Sequence, residues 1–140
     1  EGREFNVAVL EEDGAPRVLP MAEMRFEAWP EHKPKIVGYT AKWDEQSLDS
    51  TNTVRDFAWA AREPDLAAQL RDLSVRAWHL FGLRGYARVD FRVDANGHPT
   101  ILELNPNPCI EPSAGFAVAA GEAGYDYRAL IDRIGRAALR

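Results

Sequence analysis

The chain has 140 residues, 22 of them acidic and 17 basic, for a formal net charge of −5. That length supports one domain with its own core, or one lobe of a larger unit. The acidic balance argues against a nucleic-acid binder, which carries a basic face. The single cysteine, Cys109, excludes an internal disulfide and a multi-cysteine zinc site, and a reducing compartment fits.

No stretch approaches the roughly 18 apolar residues of a membrane span. The first residues show no signal-peptide core and no initiator Met. The expectation is a cytoplasmic chain, cut from a longer protein, with no membrane or nucleic-acid partner.

In chain order, residues 5–10 are rich in β-formers and read as a strand. Residues 11–16 form a turn centred on Asp13-Gly14. Short strands are expected at 17–19, 23–28, 36–38 and 40–43. Residues 44–53 read as a loop, because their Ser, Thr, Asn and Asp side chains compete for backbone hydrogen bonds. Pro64 opens a helix, where its missing N–H costs nothing. Leu66, Leu70, Leu73, Ala77, Leu80 and Phe81 recur at helical spacing, and Gly82 is the stop. Strands at 86–93 and 100–105 flank Asn96-Gly97, a strong hairpin signal. Helices at 114–123 and 127–139 close the chain. The fold class is α+β, an antiparallel sheet with packed helices.

The hairpin carries chemistry. With Asn96-Gly97 as a two-residue turn, Phe91 faces Leu102 and Val89 faces Leu104 on an apolar side. On the other side Asp90 faces Glu103, and Arg88 faces Asn105. A four-residue loop gives the same pairing; a three-residue loop with a bulge shifts it by one. Two carboxylates about 5 Å apart at an effective dielectric near 20 repel by roughly 3 kcal/mol. A shared Mg²⁺ or Mn²⁺ offsets that, and the amide oxygen of Asn105 completes an oxygen set suited to such ions. Arg88 beside them suits a phosphoryl group in transfer. A solvated polar sheet face with no ligand stays open as the plainer account.

The segments Gly85-Tyr86-Ala87-Arg88-Val89-Asp90-Phe91 and Glu103-Leu104-Asn105-Pro106-Asn107-Pro108 resemble the metal-binding hairpin of ATP-grasp ligases, above all the D-alanine–D-alanine ligase group. Residues 1–9, 39–43 and 119–127 are similar to further segments of those enzymes. The resemblance implies the second half of an ATP-grasp fold, with residues 1–140 as one lobe. It implies an ATP-dependent ligase that phosphorylates a small carboxylate and joins it to an amine. By position, Asp90, Glu103 and Asn105 would hold Mg²⁺ (or Mn²⁺). Arg88 would stabilise the phosphoryl group, Lys42 would contact phosphates, and Glu4 would lie on the nucleotide side.

The resemblance also implies a missing N-terminal lobe and an isolated chain that does not turn over. Cys109 stands where the group has glycine. Ser113 is expected to cap the next helix or to meet the acceptor, although the group's serine falls one residue away. Without the resemblance, Lys42 reads as an ordinary surface lysine. Cys109 lacks an identifiable base for nucleophilic work. His32, His79 and His98 are scattered. Trp29, Trp43, Trp59 and Trp78 read as core or interface residues. A non-catalytic nucleotide- or metal-binding or assembly module of the same fold is the competing expectation, and a homodimer stays open.

Overall fold

The computed structural model describes residues 2–26 and 53–139. The strands expected at 36–38 and 40–43, together with Lys42, His32, Trp29 and Trp43, lie outside them. Among the described residues six strands form one antiparallel sheet: β1 (Arg3–Glu12), β2 (Ala15–Val18), β3 (Ala22–Phe26), β4 (Thr53–Asp56), β5 (Tyr86–Val93) and β6 (Pro99–Asn105). Their order is β4-β3-β1-β5-β6, and β2 pairs with the far end of β1. Among the described residues the helices, in chain order, are α1 (Trp59–Arg62), α2 (Pro64–Leu80), α3 (Gly115–Glu122) and α4 (Tyr127–Ala138). Among the described residues, no helix is long and apolar enough to cross a membrane.

Alternation along the two central strands builds the sheet. Phe5, Val7 and Val9 of β1 and Ala87, Val89, Phe91 and Val93 of β5 point to one side. There they meet Trp59 of α1 and Ala67, Leu70 and Trp78 of α2. Phe5 meets Trp59 edge-on at 4.6 Å, and the indole N–H donates to the Met21 carbonyl at 2.8 Å. Each fully buried Phe contributes about 2 kcal/mol of apolar burial. The opposite side changes character along its length. Ala8 and Leu10 pack under Phe116, Ala117, Ala119, Ala120 and Leu130 of α3 and α4, with Tyr86 against the same cluster. Beyond them the same side carries Glu4, Asn6, Arg88, Asp90 and Arg92.

Caps and turns fix the ends. Pro64 begins α2 as expected. The helix stops at Gly82, whose φ of +60° places it in the left-handed region. Gly82 N–H donates to His79 O and Leu83 N–H to Trp78 O, the paired bonds of a glycine-terminated helix. Asp126 caps α4 by accepting from Ala129 N–H at 2.7 Å. Asp13 and Gly14 both take positive φ, so the first hairpin turns in two residues.

Several expectations need correction. β4 and α1 carry too few residues for periodicity to reveal them. Leu80 and Phe81 are exposed, although they share the helical spacing; the chain is already leaving α2, and Trp78 and Trp59 fill the core instead. The β5–β6 turn has three residues between Asp94 and His98, with Gly97 at φ +82°. Asp94 Oδ1 accepts from the N–H groups of Asn96 and His98, which favours this tighter closure. The register therefore starts one residue off: Phe91 pairs with Ile101, not Leu102, and Leu102 is exposed. An irregularity between Asp90 and Phe91 absorbs the shift. Beyond it Asp90 pairs with Glu103, Val89 with Leu104 and Arg88 with Asn105, as the sequence predicts.

Candidate functional site

The polar end of the sheet face is assembled across three strands. Asn6 of β1 lies beside Asp90 of β5, which lies beside Glu103 of β6. Ala8, Arg88 and Asn105 form the next row, and Glu4 and Arg92 the row before. Strict alternation makes this arrangement: the neighbours Phe5, Val7, Val89 and Phe91 are buried on the other side.

Asp90 is the most constrained acid of the group, at 6 % exposure. Arg88 grips it with both ends of the guanidinium, Nε to Oδ1 and Nη2 to Oδ2, each at 2.7 Å. Asn6 donates a third bond to Oδ1 at 3.0 Å. Burial works against the Arg88 charge, but the hydrogen bonds to Asp90 and the charges of Asp90, Glu103 and Glu4 outweigh it. The Arg88 pKa is raised as a result. Beside them Arg92 Nη2 meets Glu4 Oε2 at 3.0 Å, with Glu4 at 7 % exposure.

Glu103 is exposed and faces solvent at the edge strand. Asn105 ends β6, and its Oδ1 accepts from Asn107 N–H at 2.9 Å. Asn107 in turn accepts from the Tyr86 hydroxyl at 2.5 Å, and the Tyr86 ring rests edge-on against Phe116 at 5.4 Å. The buried start of α3 thus anchors the loop that orients the Asn105 amide.

These side chains suit a hard divalent cation in donor chemistry: two carboxylates on paired residues and one amide oxygen, with no sulfur or imidazole. A carboxylate has about four lone-pair sites. Three are occupied on Asp90, which leaves one direction on Oδ2. Both oxygens of Glu103 and a second lone pair of Asn105 Oδ1 add to it. Among the described residues no group of three His, Cys, Asp or Glu side chains that could hold a metal ion occurs.

Five of the seven residues singled out from the sequence share this face: Glu4, Arg88, Asp90, Glu103 and Asn105. Lys42 lies outside the described residues. Ser113 is exposed and does not cap α3: Ala114 holds the cap position, with no side-chain hydrogen bond. Its turn is closed by Ala114 N–H to Glu111 O instead. Cys109 is exposed, one residue after the buried Pro108. Asn6 and Arg92 escaped the sequence reading, although their spacing from Glu4 and Asp90 by two marks them for the same side. A cleft of about 750 Å³ between Gly2, Glu63, Asp65 and the 94–97 turn contains none of these residues.

A family model described as "D-ala D-ala ligase C-terminus" matches residues 1–135. An uncharacterized protein, y4sG, of Sinorhizobium fredii is 35 % identical over 134 residues, covering 96 % of this chain and 37 % of that protein. A D-alanine–D-alanine ligase of Desulforudis audaxviator is 34 % identical over 138 residues, covering 98 % and 40 % respectively. One from Bordetella petrii is 31 % identical over 129 residues, covering 92 % and 36 %. The crystal structure of a D-alanine–D-alanine ligase from Bacillus anthracis complexed with ATP superposes with a TM-score of 0.74. It is 22 % identical, and the match covers 100 % of this chain and 39 % of that one. The chain thus spans well under half the length of these relatives.

Proposed function

The chain belongs to the D-alanine–D-alanine ligase C-terminal family of ATP-grasp proteins, and on that premise we propose that it is one lobe of an ATP-dependent carboxylate–amine ligase. The observation that carries the reading is the row Asn6–Asp90–Glu103 with Arg88 and Asn105 beside it. It sits on the same side of the sheet as α3 and α4, on the part of that side whose side chains are polar. Residues 1–140 then form the C-terminal lobe, and the preceding lobe closes the nucleotide cleft.

In the proposed reaction a carboxylate oxygen takes the γ-phosphoryl group of ATP, releasing ADP. The amine then attacks the acyl carbon; the C–N bond forms, the C–O bond to phosphate breaks, and the amine loses a proton. Arg88 supplies fixed positive charge where the phosphoryl group gains negative charge. Asp90 holds the guanidinium in place. Glu4 and Arg92 form the adjacent nucleotide-side wall, and Lys42 contributes a further phosphate contact. Asp90, Glu103 and Asn105 would hold Mg²⁺ or Mn²⁺. When bound, such an ion neutralises phosphate oxygens and draws them into line. The substrates are small molecules, one carrying the carboxylate and one the amine.

The test is ADP release by the full-length protein with ATP, Mg²⁺ and a panel of amino acids that includes D-alanine. Release that depends on an amino acid supports the reading. Glu103→Gln is expected to lower it by at least about 100-fold, the scale of a lost electrostatic contact in transfer. Undiminished release in that variant would overturn the metal assignment. The 140-residue chain alone is expected to release no ADP.

A further inference from the structure

Arg55 has no part in the reading above. It belongs to β4, at the sheet edge opposite β6, and pairs with Met24, which pairs with Glu4. That register gives Arg55 the same side as Glu4, Asp90 and Arg88. Its side chain runs back over the face toward the start of α3. Arg55 Nε stands 3.5 Å from the point that a Cβ on Gly115 would occupy.

The arginines of this face differ in their company. Arg88 holds Asp90 and Arg92 holds Glu4. Among the described residues no carboxylate pairs with Arg55, and its prominent charged neighbour is another cation, Arg88. Arg55 remains exposed; partial loss of hydration first, and the positive charge of Arg88 second, lower its guanidinium pKa from the usual value. Two guanidiniums on one face, one of them already committed to an acid, add positive potential beside the site. A planar fork of donors suits an oxyanion.

We propose that Arg55, beside Gly115 on the face it shares with Arg88, binds an oxyanion of the substrate as a specificity residue of the site. The inference rests on the ligase reading for which molecule brings the anion. A carboxylate left over after the first is phosphorylated, or a phosphate of the nucleotide, has the required chemistry. Arg55 thus selects for a substrate that still carries negative charge at this end of the face.

The experiment uses the full-length protein and its Arg55→Gln and Arg55→Lys variants. KM is measured separately for ATP and for whichever amino acid of the panel supports ADP release. A rise of about 10-fold in the amino-acid KM in Arg55→Gln, partly recovered in Arg55→Lys, assigns a substrate carboxylate. The same rise confined to ATP assigns a phosphate. Equal KM values for both ligands in all three proteins overturn the proposal. A second readout is independent of turnover: the melting temperature in sodium phosphate against sodium chloride at matched ionic strength. Stabilisation by phosphate that disappears in Arg55→Gln supports the site; equal stabilisation in both proteins counts against it. A protein that releases no ADP sinks the ligase reading, while this second readout still decides the role of Arg55.

Discussion

Asp90 and Glu103 are paired in register but live in different environments, and their substitutions should separate stability from chemistry. Asp90→Asn weakens a bidentate pair whose side chains are 17 % and 9 % exposed, for Arg88 and Asp90. Leaving Arg88 without its counter-charge is expected to cost about 1–3 kcal/mol of stability. Thermal melts should record that loss along with the loss of ADP release. Glu103 is exposed, so Glu103→Gln should alter the melting temperature little, within about 0.5 kcal/mol. Tyr86→Phe tests the loop that holds Asn105. It removes the hydroxyl bond to Asn107 and keeps the ring on Phe116. The Mg²⁺ concentration for half-maximal ADP release is expected to rise several-fold, with about 1 kcal/mol of stability lost. An unchanged Mg²⁺ requirement would leave Tyr86 a packing residue only.

Among the elements, the β1–β2 hairpin and α4 are tied by a charged knot away from the site. Glu12 meets Arg17 at 2.8 Å and Arg133 at 2.9 Å, and the Tyr125 hydroxyl also donates to Glu12. Burial raises the Glu12 pKa, but hydrogen bonds from Tyr125 and Arg17 and the charges of Arg17 and Arg133 outweigh it, so it lies below its usual value of 4.5. A lowered folded-state pKa contributes stability above the unfolded value and loses it as pH falls through the folded value. Melting temperatures should therefore fall below about pH 4.5. Glu12→Gln should start lower at neutral pH and fall less over that window; a parallel fall would place the acid sensitivity elsewhere.

The same scale shows what the sequence discloses. Long elements with marked ends were legible: Pro64 and Gly82 bracket α2, and the β5–β6 alternation separates Val89 and Phe91 from Arg88 and Asp90. The turn length was not, because Asn96-Gly97 permits both two- and three-residue closures, and Asp94 decides between them through its side-chain bonds. β4 was not legible either. Four residues give no period, and Arg55 acquires its place only when β3 fixes the register. Ser113 resembled a cap by residue type, yet the backbone begins α3 one residue later.

At the scale of the molecule, the described helices pack on both sides of the sheet, α1 and α2 on one and α3 and α4 on the other. The larger cluster, with Phe5, Trp59, Leu70 and Phe91, includes none of the candidate site side chains. Phe5→Ala is expected to cost about 3–5 kcal/mol. In the surviving folded fraction, KM for ATP should stay near the parent value; a selective KM change would tie core packing directly to the cleft.

The extra residue in β6 bears on how such hairpins vary in length. Because Phe91 pairs with Ile101 and Asp90 with Glu103, Leu102 is a spacer that belongs to neither pair. A gene that lost its codon would still encode Asp90 opposite Glu103, in a straighter ribbon. One that lost Leu104 would bring Asn105 to the wrong side. Natural insertions and deletions in this hairpin should therefore collect on the turn side of Glu103 and stop there.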